Sequence, residues 1–585
     1  MTDTGSRAAH GQPSVAAAIA RFIASQGVER VYTLPGSHVK AICGELERAG
    51  IRIVSARHEC AAVHMAHAEA HLTGRIGVAI VTTGPGLTNA VTGIASAYLA
   101  RTPLMVLSAR VPDPQAGMGA LEEVPQGALV RPVCRYVREI SDGRHVLPAL
   151  HMAATAALGG DGPAGPVYVD FDPGLLKQPI AAWHLDQRWF SAVARARRLP
   201  DREVIERAAQ LLHDGRRTLV IGGRAARGTG PLLERFLQAY GCVYLDTRES
   251  KGALPPDSPC SIPALRARAI AEADLVVTLG RRLDFELAYG SAAVFSGSAC
   301  FIRIGRCAEE LIENRRGDVE ICADVESTLS ALLERNAAPK ASGLEWRDEL
   351  IRANAEKTAK MTAAPVAPPA GADGRIHPFA LIDAINRLVD DSAICIVDGG
   401  DILSFARVRL QAHTYLDLGP FGCLGSGVPY GVAASLAFPS RRTIALIGDG
   451  AFGFSALEIE TAVRNRARAL FVVANNDAWN IERQDQLARY PGQDLGGDLS
   501  ACHYDRLAQS LGAYGERVDE IATLDAALER GLANMPAVID VAVRRDVVSP
   551  DGKAGLAEVP ALHALPSWDG AERRAIGRGI PPPED

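Results

Sequence analysis

The sequence predicts an α/β protein made of three doubly wound parallel-sheet domains. Short strands rich in β-branched residues alternate with Ala-rich helical stretches along the whole chain, and this alternation is typical of parallel sheets covered by helices on both faces. Several of the strands end in Gly-containing turns. The chain has 585 residues, a length that suggests about three or four domains.

The first domain is predicted over residues 13–180 and the second over residues 201–337. A third domain is expected over residues 375–548, followed by a surface tail over residues 549–585. Mixed or Pro/Ala-rich segments at 181–201 and 363–373 look like linkers. The first and third domains share the same coarse order of elements. Predicted strands are 30–34, 52–55, 77–82, 103–108, 166–170, 218–221, 242–245, 275–279, 300–304, 394–397, 443–447, 469–473 and 537–543.

Composition argues against several classes of protein. The net charge is −6 and no basic stripe with interleaved aromatics occurs, so nucleic-acid binding is not expected. The eleven cysteines form no CxxC pair, which argues against a disulfide framework or a cysteine-held zinc. The chain contains neither an apolar signal core nor a run of about 18 apolar residues, and a cytoplasmic protein without membrane contact is expected.

The strongest motif joins two strand ends in the third domain. The predicted strand 443–447 ends in Gly448-Asp449-Gly450, a helical stretch follows at 455–464, and the strand 469–473 ends in Asn475-Asn476. Ligands of open α/β sheets bind at such carboxyl ends. Asp and Asn oxygens suit Mg²⁺ or Ca²⁺, and backbone N–H groups beside Gly450 suit an anion. Together they predict a Mg²⁺-bridged diphosphate site.

This motif resembles that of thiamine-diphosphate enzymes, and its surroundings resemble the acetolactate synthase-like family over nearly the whole chain. Likenesses to oxalyl-CoA decarboxylase, 2-hydroxyacyl-CoA lyase and cyclohexane-1,2-dione hydrolase-type members also exist. The resemblance implies that Asp449, Asn476 and the carbonyl of Ala478 hold the metal. Many relatives carry a small hydroxyl residue where this chain has Ala451, so one contact to the diphosphate is expected to be missing.

The resemblance also implies a catalytic acid in the first domain. Arg57-His58-Glu59 opens an Ala-rich helix, and the family places its cofactor-activating Glu in this context. A carboxylic acid in an apolar site can protonate the far ring nitrogen of the aminopyrimidine. The nearby histidines, including His64, do not form an HExxH zinc motif, and their spacing favours packing and pocket lining.

Other turns resemble cofactor-binding segments of the family. Leu424 is expected to wedge between the two cofactor rings, and the Gly422 carbonyl to accept from the 4′-amino group. The full set of expected cofactor-binding residues is Pro35, Glu59, Thr83, Gly86, Asn89, Gly400, Asp401, Gly422, Leu424, Gly450, Ala451 and Asn476.

The reaction is less narrowly defined by the sequence. His38 lies where related aldehyde lyases and ligases place a pocket histidine, and Glu482 where pyruvate decarboxylases carry a proton-handling Glu. Both are candidate catalytic residues, although a polar loop role for His38 and pairing of Glu482 with Arg483 stay open. Glu122 replaces the Gln typical of acetolactate synthases. The expected substrate pocket comprises Ser37, His38, Glu122, Asn480 and Glu482.

The resemblance thus implies a carboligase or lyase acting on a 2-oxo acid, α-diketone or acyloin through a carbanion–enamine. A non-ligating 2-oxo acid or acyl-CoA-type decarboxylase or lyase and a non-catalytic regulatory homologue remain as alternatives. The second domain lacks the GMHG-like segment that contacts FAD in acetolactate synthases, so FAD or ADP binding there is left open. The family's site lies between two subunits, which implies a homodimer at minimum and commonly a homotetramer.

Overall fold

A computed structural model describes residues 12–180, 186–214, 216–255, 257–335, 341–363, 369–371, 373–493 and 495–553. The described chain contains three parallel β-sheets with helices on their faces. All strand pairs within these sheets are parallel. The predicted fold class is therefore confirmed.

The first sheet has the strand order β2-β1-β3-β4-β6-β5. Its inner strands are buried along their whole length, as expected when helices cover both faces of a parallel sheet. The strands are β1 Arg30–Thr33, β2 Arg52–Ser55, β3 Gly77–Val81, β4 Leu104–Ala109, β5 Tyr136–Ile140 and β6 Pro166–Phe171. The helices are α1 Val15–Ser25, α2 Lys40–Arg48, α3 Glu59–Thr73, α4 Pro85–Leu99, α5 Gln126–Val130 and α6 Val146–Ala157.

The second sheet has the order β11-β10-β9-β7-β8. Its strands are β7 Thr218–Gly222, β8 Val243–Leu245, β9 Leu275–Leu279, β10 Cys300–Gly305 and β11 Val319–Cys322. Its helices are α7 Arg202–His213, α8 Gly230–Tyr240, α9 Arg266–Glu272, α10 Ala308–Ile312, α11 Val325–Leu333 and α12 Ala341–Ala363.

The third sheet has the order β13-β12-β14-β15-β17-β16, which repeats the order of the first sheet when each is counted from its own first strand. Its strands are β12 Ile394–Asp398, β13 Thr414–Leu416, β14 Thr443–Gly448, β15 Ala469–Asn475, β16 Tyr514–Val518 and β17 Ala537–Ala542. Its helices are α13 Pro378–Asn386, α14 Gly400–Arg409, α15 Gly427–Ala437, α16 Asp449–Ser455, α17 Glu458–Asn465, α18 Asn480–Arg489, α19 Tyr504–Ser510, α20 Ile521–Ala533 and α21 Pro550–Lys553.

Helices α3 and α15 pack together and join the first and third domains. Their small side chains belong to one continuous hydrophobic cluster. His64 and His67 are buried on this face, and His67 Nδ1 lies 3.0 Å from the Tyr430 hydroxyl. Burial lowers the pKa of His64 to about 4, so the imidazole of His64 is neutral at pH 7. The α3 histidines therefore belong to a domain junction.

The end of the described chain lies on the third domain. Asp551 of α21 accepts an ion pair from Arg407 at 2.8 Å, and its backbone N–H donates to Ser404 Oγ at 2.8 Å. Residues 554–585 of the expected tail, and 181–185 and 364–368 of the expected linkers, lie outside the described residues. Within the described parts, no helix is both long and apolar enough to cross a membrane.

Candidate active site

The ends of β14 and β15 bring the two halves of the third-domain motif together. Gly448 is paired with Ala474 in the register of these parallel strands, so Asp449 and Asn476 follow at the same sheet edge. The backbone N–H of Ala478 donates to Asp449 Oδ2 at 3.3 Å. The three residues expected to hold a metal therefore lie side by side.

The acceptors at this edge fit a bound cation. Asp449 is buried, and burial raises the pKa of its carboxyl to about 7. Asn476 Oδ1 is also buried and has no hydrogen-bond partner among the described residues. No group of three His, Cys, Asp or Glu side chains in the described chain could hold a metal. A cation here would therefore rely on one carboxylate with amide and carbonyl oxygens, a donor set suited to Mg²⁺.

Gly450 permits a close backbone approach beside this edge. A Cβ added at Gly450 would lie 2.4 Å from the Trp479 ring, so no larger residue fits without rearrangement. Ala451 is buried in the first turn of α16. Its methyl group supplies no hydroxyl there, which leaves backbone groups as the polar contacts of this turn.

The start of α14 is tied to the same edge. Asp401 Oδ2 accepts hydrogen bonds from Asn480 Nδ2 at 2.9 Å and from Asn476 Nδ2 at 3.3 Å. Burial raises the pKa of Asp401 to about 6. Gly400 lies against Ile481, whose Cγ2 would be 2.9 Å from an added Cβ. Asn480 thus lies at the edge that carries Asn476 and Asp401, while Glu482 is exposed on α18.

The segment that carries Gly422 and Leu424 is held down by a buried carboxylate. Asp398 Oδ2, at the end of β12, accepts from the backbone N–H groups of Gly425 at 3.0 Å and Gly427 at 2.7 Å. Burial raises the pKa of Asp398 to about 7 even though several backbone N–H groups lower it. Leu424 is half-buried, and Gly422 is exposed with a φ of +67°.

In the first domain, Glu59 is the first residue of α3 and is buried. Its Oε2 accepts a hydrogen bond from Asn89 Nδ2 at 3.0 Å, so two of the expected residues contact each other directly. The preceding backbone is held from the third domain. Glu458 Oε1 accepts from Arg57 N at 2.9 Å and from His58 N at 3.1 Å.

The two Gly-rich turns of the first domain also meet. An added Cβ at Gly36 would lie 2.2 Å from Thr82 Cβ, and one at Gly84 would lie 2.5 Å from the Glu122 carbonyl oxygen. His38 Nδ1 lies 3.7 Å from Glu122 Oε2. This arrangement gathers Pro35, Ser37, His38, Thr83, Gly86 and Glu122 around one patch of the first domain.

Gln126 organises that patch and was not found from the sequence. Its Oε1 accepts from the Gly84 N–H at 2.7 Å, and its Nε2 donates to the Tyr168 hydroxyl at 2.9 Å. It is buried. Glu458 was likewise missed. The stretch from Asp398 to Asp401 was expected from its sequence to approach the diphosphate, but the hydrogen bonds of Asp398 to the Gly425 and Gly427 backbone were not predicted.

The expected residues form two sets within one chain. One set surrounds Glu59 in the first domain, and the other surrounds Asp449 in the third. Across the described residues, no hydrogen bond or ion pair links a member of one set directly to a member of the other. Exposed apolar side chains lie beside each set. They are Met118, Leu121 and Val124 in the first domain, and Phe421, Phe454 and Leu457 in the third.

A basic cavity of about 610 Å³ lies between the first and second domains. Its acidic lining residues include Glu249 and Glu310. The guanidinium groups that line it belong to Arg101, Arg195, Arg197, Arg224, Arg227, Arg282 and Arg306. Guanidinium groups bind phosphate bidentately, but Arg101, Arg282 and Arg306 are already ion-paired with Glu310, Glu313 and Asp324, so a phosphate group would compete with these carboxylates.

Comparisons with known proteins agree with this arrangement. Models of the thiamine pyrophosphate enzyme family match residues 13–129 as the N-terminal TPP binding domain, 205–332 as the central domain and 400–541 as the C-terminal TPP binding domain. An acetolactate synthase large subunit of Mycobacterium tuberculosis is 31% identical over 555 residues, which cover 91% of this chain and 96% of the relative. The 2-hydroxyacyl-CoA lyase 2 of Caenorhabditis elegans is 29% identical over 553 residues, covering 86% and 84%. The 2-hydroxyacyl-CoA lyase 2 of Homo sapiens is 29% identical over 590 residues, which cover 92% of this chain and 90% of the relative.

Proposed function

Because the chain belongs to the thiamine pyrophosphate enzyme family, we propose that it uses thiamine diphosphate and Mg²⁺ to form or cleave a carbon–carbon bond beside a carbonyl group. The observation that carries the proposal is the meeting of Asp449, Asn476 and Ala478 at one sheet edge. Thiamine diphosphate would supply an acidic thiazolium C2 as the nucleophile and a cationic ring that stabilises negative charge on the former carbonyl carbon. The protein must bind and orient the cofactor and the substrate, and it must supply the protons that the reaction needs.

The third domain, residues 375–548, would hold the charged end of the cofactor. Asp449, Asn476 and the carbonyl of Ala478 would coordinate the metal, and the close backbone at Gly450 would face the diphosphate. Gly400, Asp401 and Ala451 line the same edge. Gly422 would accept from the aminopyrimidine through its carbonyl, and Leu424 would support the bent cofactor. The unpartnered acceptor of Asn476 supports this assignment.

The first domain, residues 13–180, would supply the activating acid. Glu59 would exchange a proton with the aminopyrimidine ring, and its hydrogen bond from Asn89 would fix its orientation. Pro35, Thr83 and Gly86 line the turns beside it. The family resemblance implies that a second subunit completes each site. The absence of a direct hydrogen bond or ion pair between the two half sites, among the described residues of one chain, is in keeping with that arrangement.

We therefore propose a homodimer as the minimum active unit, with a homotetramer as its common assembly. The exposed apolar side chains support the dimer, because Met118 and Leu121 leave 78% and 82% of their surface in solvent. Phe454 is likewise 66% exposed beside the third-domain half site. Apolar patches of this kind mark protein interfaces. One patch lies beside the first-domain half site, and the other lies beside the third-domain half site.

The substrates we propose are a 2-oxo acid, an α-diketone or an acyloin. Ser37, His38 and Glu122 lie together, and the His38–Glu122 pair could hold or deliver a proton near the reacting carbon. Asn480 reaches Asp401, while Glu482 would approach a substrate only from the exposed face of α18. His38 is therefore the better placed of the two candidate proton donors.

A second candidate reaction is cleavage of a 2-hydroxyacyl-CoA. The arginine-lined cavity of about 610 Å³ favours it, because a phosphate-rich group such as CoA, ADP or FAD suits that lining. The same cavity could instead hold a nucleotide that takes no part in the reaction.

One set of incubations separates these reactions. The protein, with thiamine diphosphate and Mg²⁺, is incubated with pyruvate alone, with pyruvate and an aldehyde, and with a 2-hydroxyacyl-CoA. Mass spectrometry follows CO₂ and carbon–carbon products. With pyruvate alone, a second pyruvate can serve as the acceptor, so we expect CO₂ together with a pyruvate–pyruvate ligation product. With an aldehyde, we expect a mixed ligation product as well. Absence of turnover in all arms, with an α-diketone and an acyloin included, would refute the proposed function.

A further inference from the structure

Glu458 of the third domain contacts the backbone that leads into Glu59 of the first. Glu458 Oε1 accepts two backbone hydrogen bonds, from Arg57 N at 2.9 Å and His58 N at 3.1 Å. Its other oxygen accepts from Thr461 Oγ1 at 2.6 Å. The side chain is only 1% exposed, so each of these bonds forms out of water and its loss would leave a buried group unpaired.

The rest of α17 holds the same connection. Arg464 donates to Ser55 Oγ at 2.6 Å and to the Ser55 carbonyl at 2.8 Å. In the reverse direction, Arg52 donates to the Asn465 carbonyl at 2.8 Å. These bonds span the end of β2 and the turn before α3, which is the segment that sets where α3 begins.

We propose that Glu458 is a positioning residue for Glu59, acting through the two N–H groups that it binds just before α3. This inference rests on the proposed function, in which Glu59 activates the cofactor. Without its acceptor, the Arg57–His58 backbone could rotate, and the first turn of α3 would move with it. Helix α17 follows α16 after only two residues. One short stretch of the third domain therefore carries Asp449 at its start and holds Glu59 at its end.

Two substitutions test whether the length of the Glu458 side chain or its negative charge is required. Glu458→Gln keeps an acceptor of the same length and can donate to Thr461, so we expect it to retain most of the function. Glu458→Asp keeps the charge but is one methylene shorter and cannot reach both N–H groups. Glu529→Gln is the matched control for the Glu-to-Gln change, because Glu529 is exposed on α20 of the same domain.

The measured quantity is the exchange rate of the cofactor's thiazolium C2 proton in D₂O, followed by NMR on the assembled enzyme. In a separate experiment, cofactor affinity is measured by the change in tryptophan fluorescence on titration with thiamine diphosphate. We expect Glu458→Asp to slow exchange by about tenfold or more, since displacements near 1 Å cost about 10²-fold in rate. Its cofactor affinity should change far less. Thr461→Val, which frees the second Glu458 oxygen, should slow exchange in the same direction and serves if the Asp variant does not fold.

A double-mutant comparison distinguishes positioning from general stability. If Glu458 acts through Glu59, then Glu458→Asp adds nothing in a Glu59→Gln background. An equal loss in both backgrounds, or unchanged exchange in both Glu458→Asp and Thr461→Val, would overturn the inference. Equal losses in the Gln and Asp variants would also overturn it. If Glu59→Gln itself leaves exchange unchanged, the proposed role of Glu59 fails instead.

Discussion

Gly427→Ala should push residues 422–427, the segment proposed to contact the cofactor rings, away from the sheet that supports it. Gly427 opens α15, and an added Cβ would lie 2.7 Å from Asp398 Cβ and 3.0 Å from two Ile447 side-chain atoms. Carbon atoms pack at about 3.5–4.0 Å, so the segment must move by roughly 1 Å. Overpacking of this kind costs about 1–3 kcal/mol, while Ala is about 1 kcal/mol more favourable than Gly in a helix. We expect a net loss of up to about 2 kcal/mol.

The functional effect should exceed the effect on stability. A shift near 1 Å in Gly422 and Leu424 predicts a rate loss of about 10²-fold. Thermal melting and turnover are measured on the same preparation. Gly44→Ala is the control, because Gly44 lies in α2 and nothing is within 4 Å of an added Cβ. Turnover of Gly427→Ala equal to that of the wild type would refute the role given to this segment.

Three further predictions follow from the same geometry. Glu59→Gln should bind thiamine diphosphate, measured by fluorescence titration, yet lower turnover by at least about 10²-fold, a typical loss for a general acid; undiminished turnover would contradict it. Asp449→Asn and EDTA should each weaken cofactor binding measured by calorimetry, and added Mg²⁺ should restore only the EDTA-treated protein. Burial raises the pKa of Asp398 from 3.8 to about 7, so its contribution to stability is complete below about pH 4 and is lost as pH rises through about 7, on the order of 4 kcal/mol in all. Melting of the cofactor-free protein between pH 5 and 8 should show this decline, and Asp398→Asn should flatten it.

Inner strands could be predicted from the sequence, whereas most edge strands could not. The strands that were missed, β5, β11, β13 and β16, all lie at sheet edges. Strand β5 carries two charged residues, Arg138 and Glu139, and exposes both, and β16 is mostly half-buried. Buried parallel strands read as continuous apolar runs, but an edge strand has one free side and needs no such run.

The motif residues of the site could be predicted because each lies at a strand end or in a Gly-rich turn. The register of β14 and β15 places Asp449 beside Asn476, as the spacing predicted. Gln126 and Glu458 could not be found in this way. Each contacts a turn more than 40 positions away in the sequence, and no local pattern encodes such a contact. The arginine-lined cavity could not be predicted for the same reason, because its lining residues come from separate elements.

The first and third domains share one strand order but carry opposite chemistry at their sheet edges. The third places buried acceptors without partners there, namely Asp398 Oδ1, Asp401 Oδ1, Asn476 Oδ1, Asp477 Oδ1 and Asn480 Oδ1. Such acceptors are costly unless a cation or donor reaches them, so this edge suits a metal-bound anion. The first domain instead presents Glu59, a buried acid with a single amide partner, while its other buried acid, Asp170, is paired with Arg110. Thiamine diphosphate has a charged end and a basic ring, and it needs both edges. In the proposed function, the two sheet edges would therefore supply complementary half sites, and neither domain would complete the site by itself.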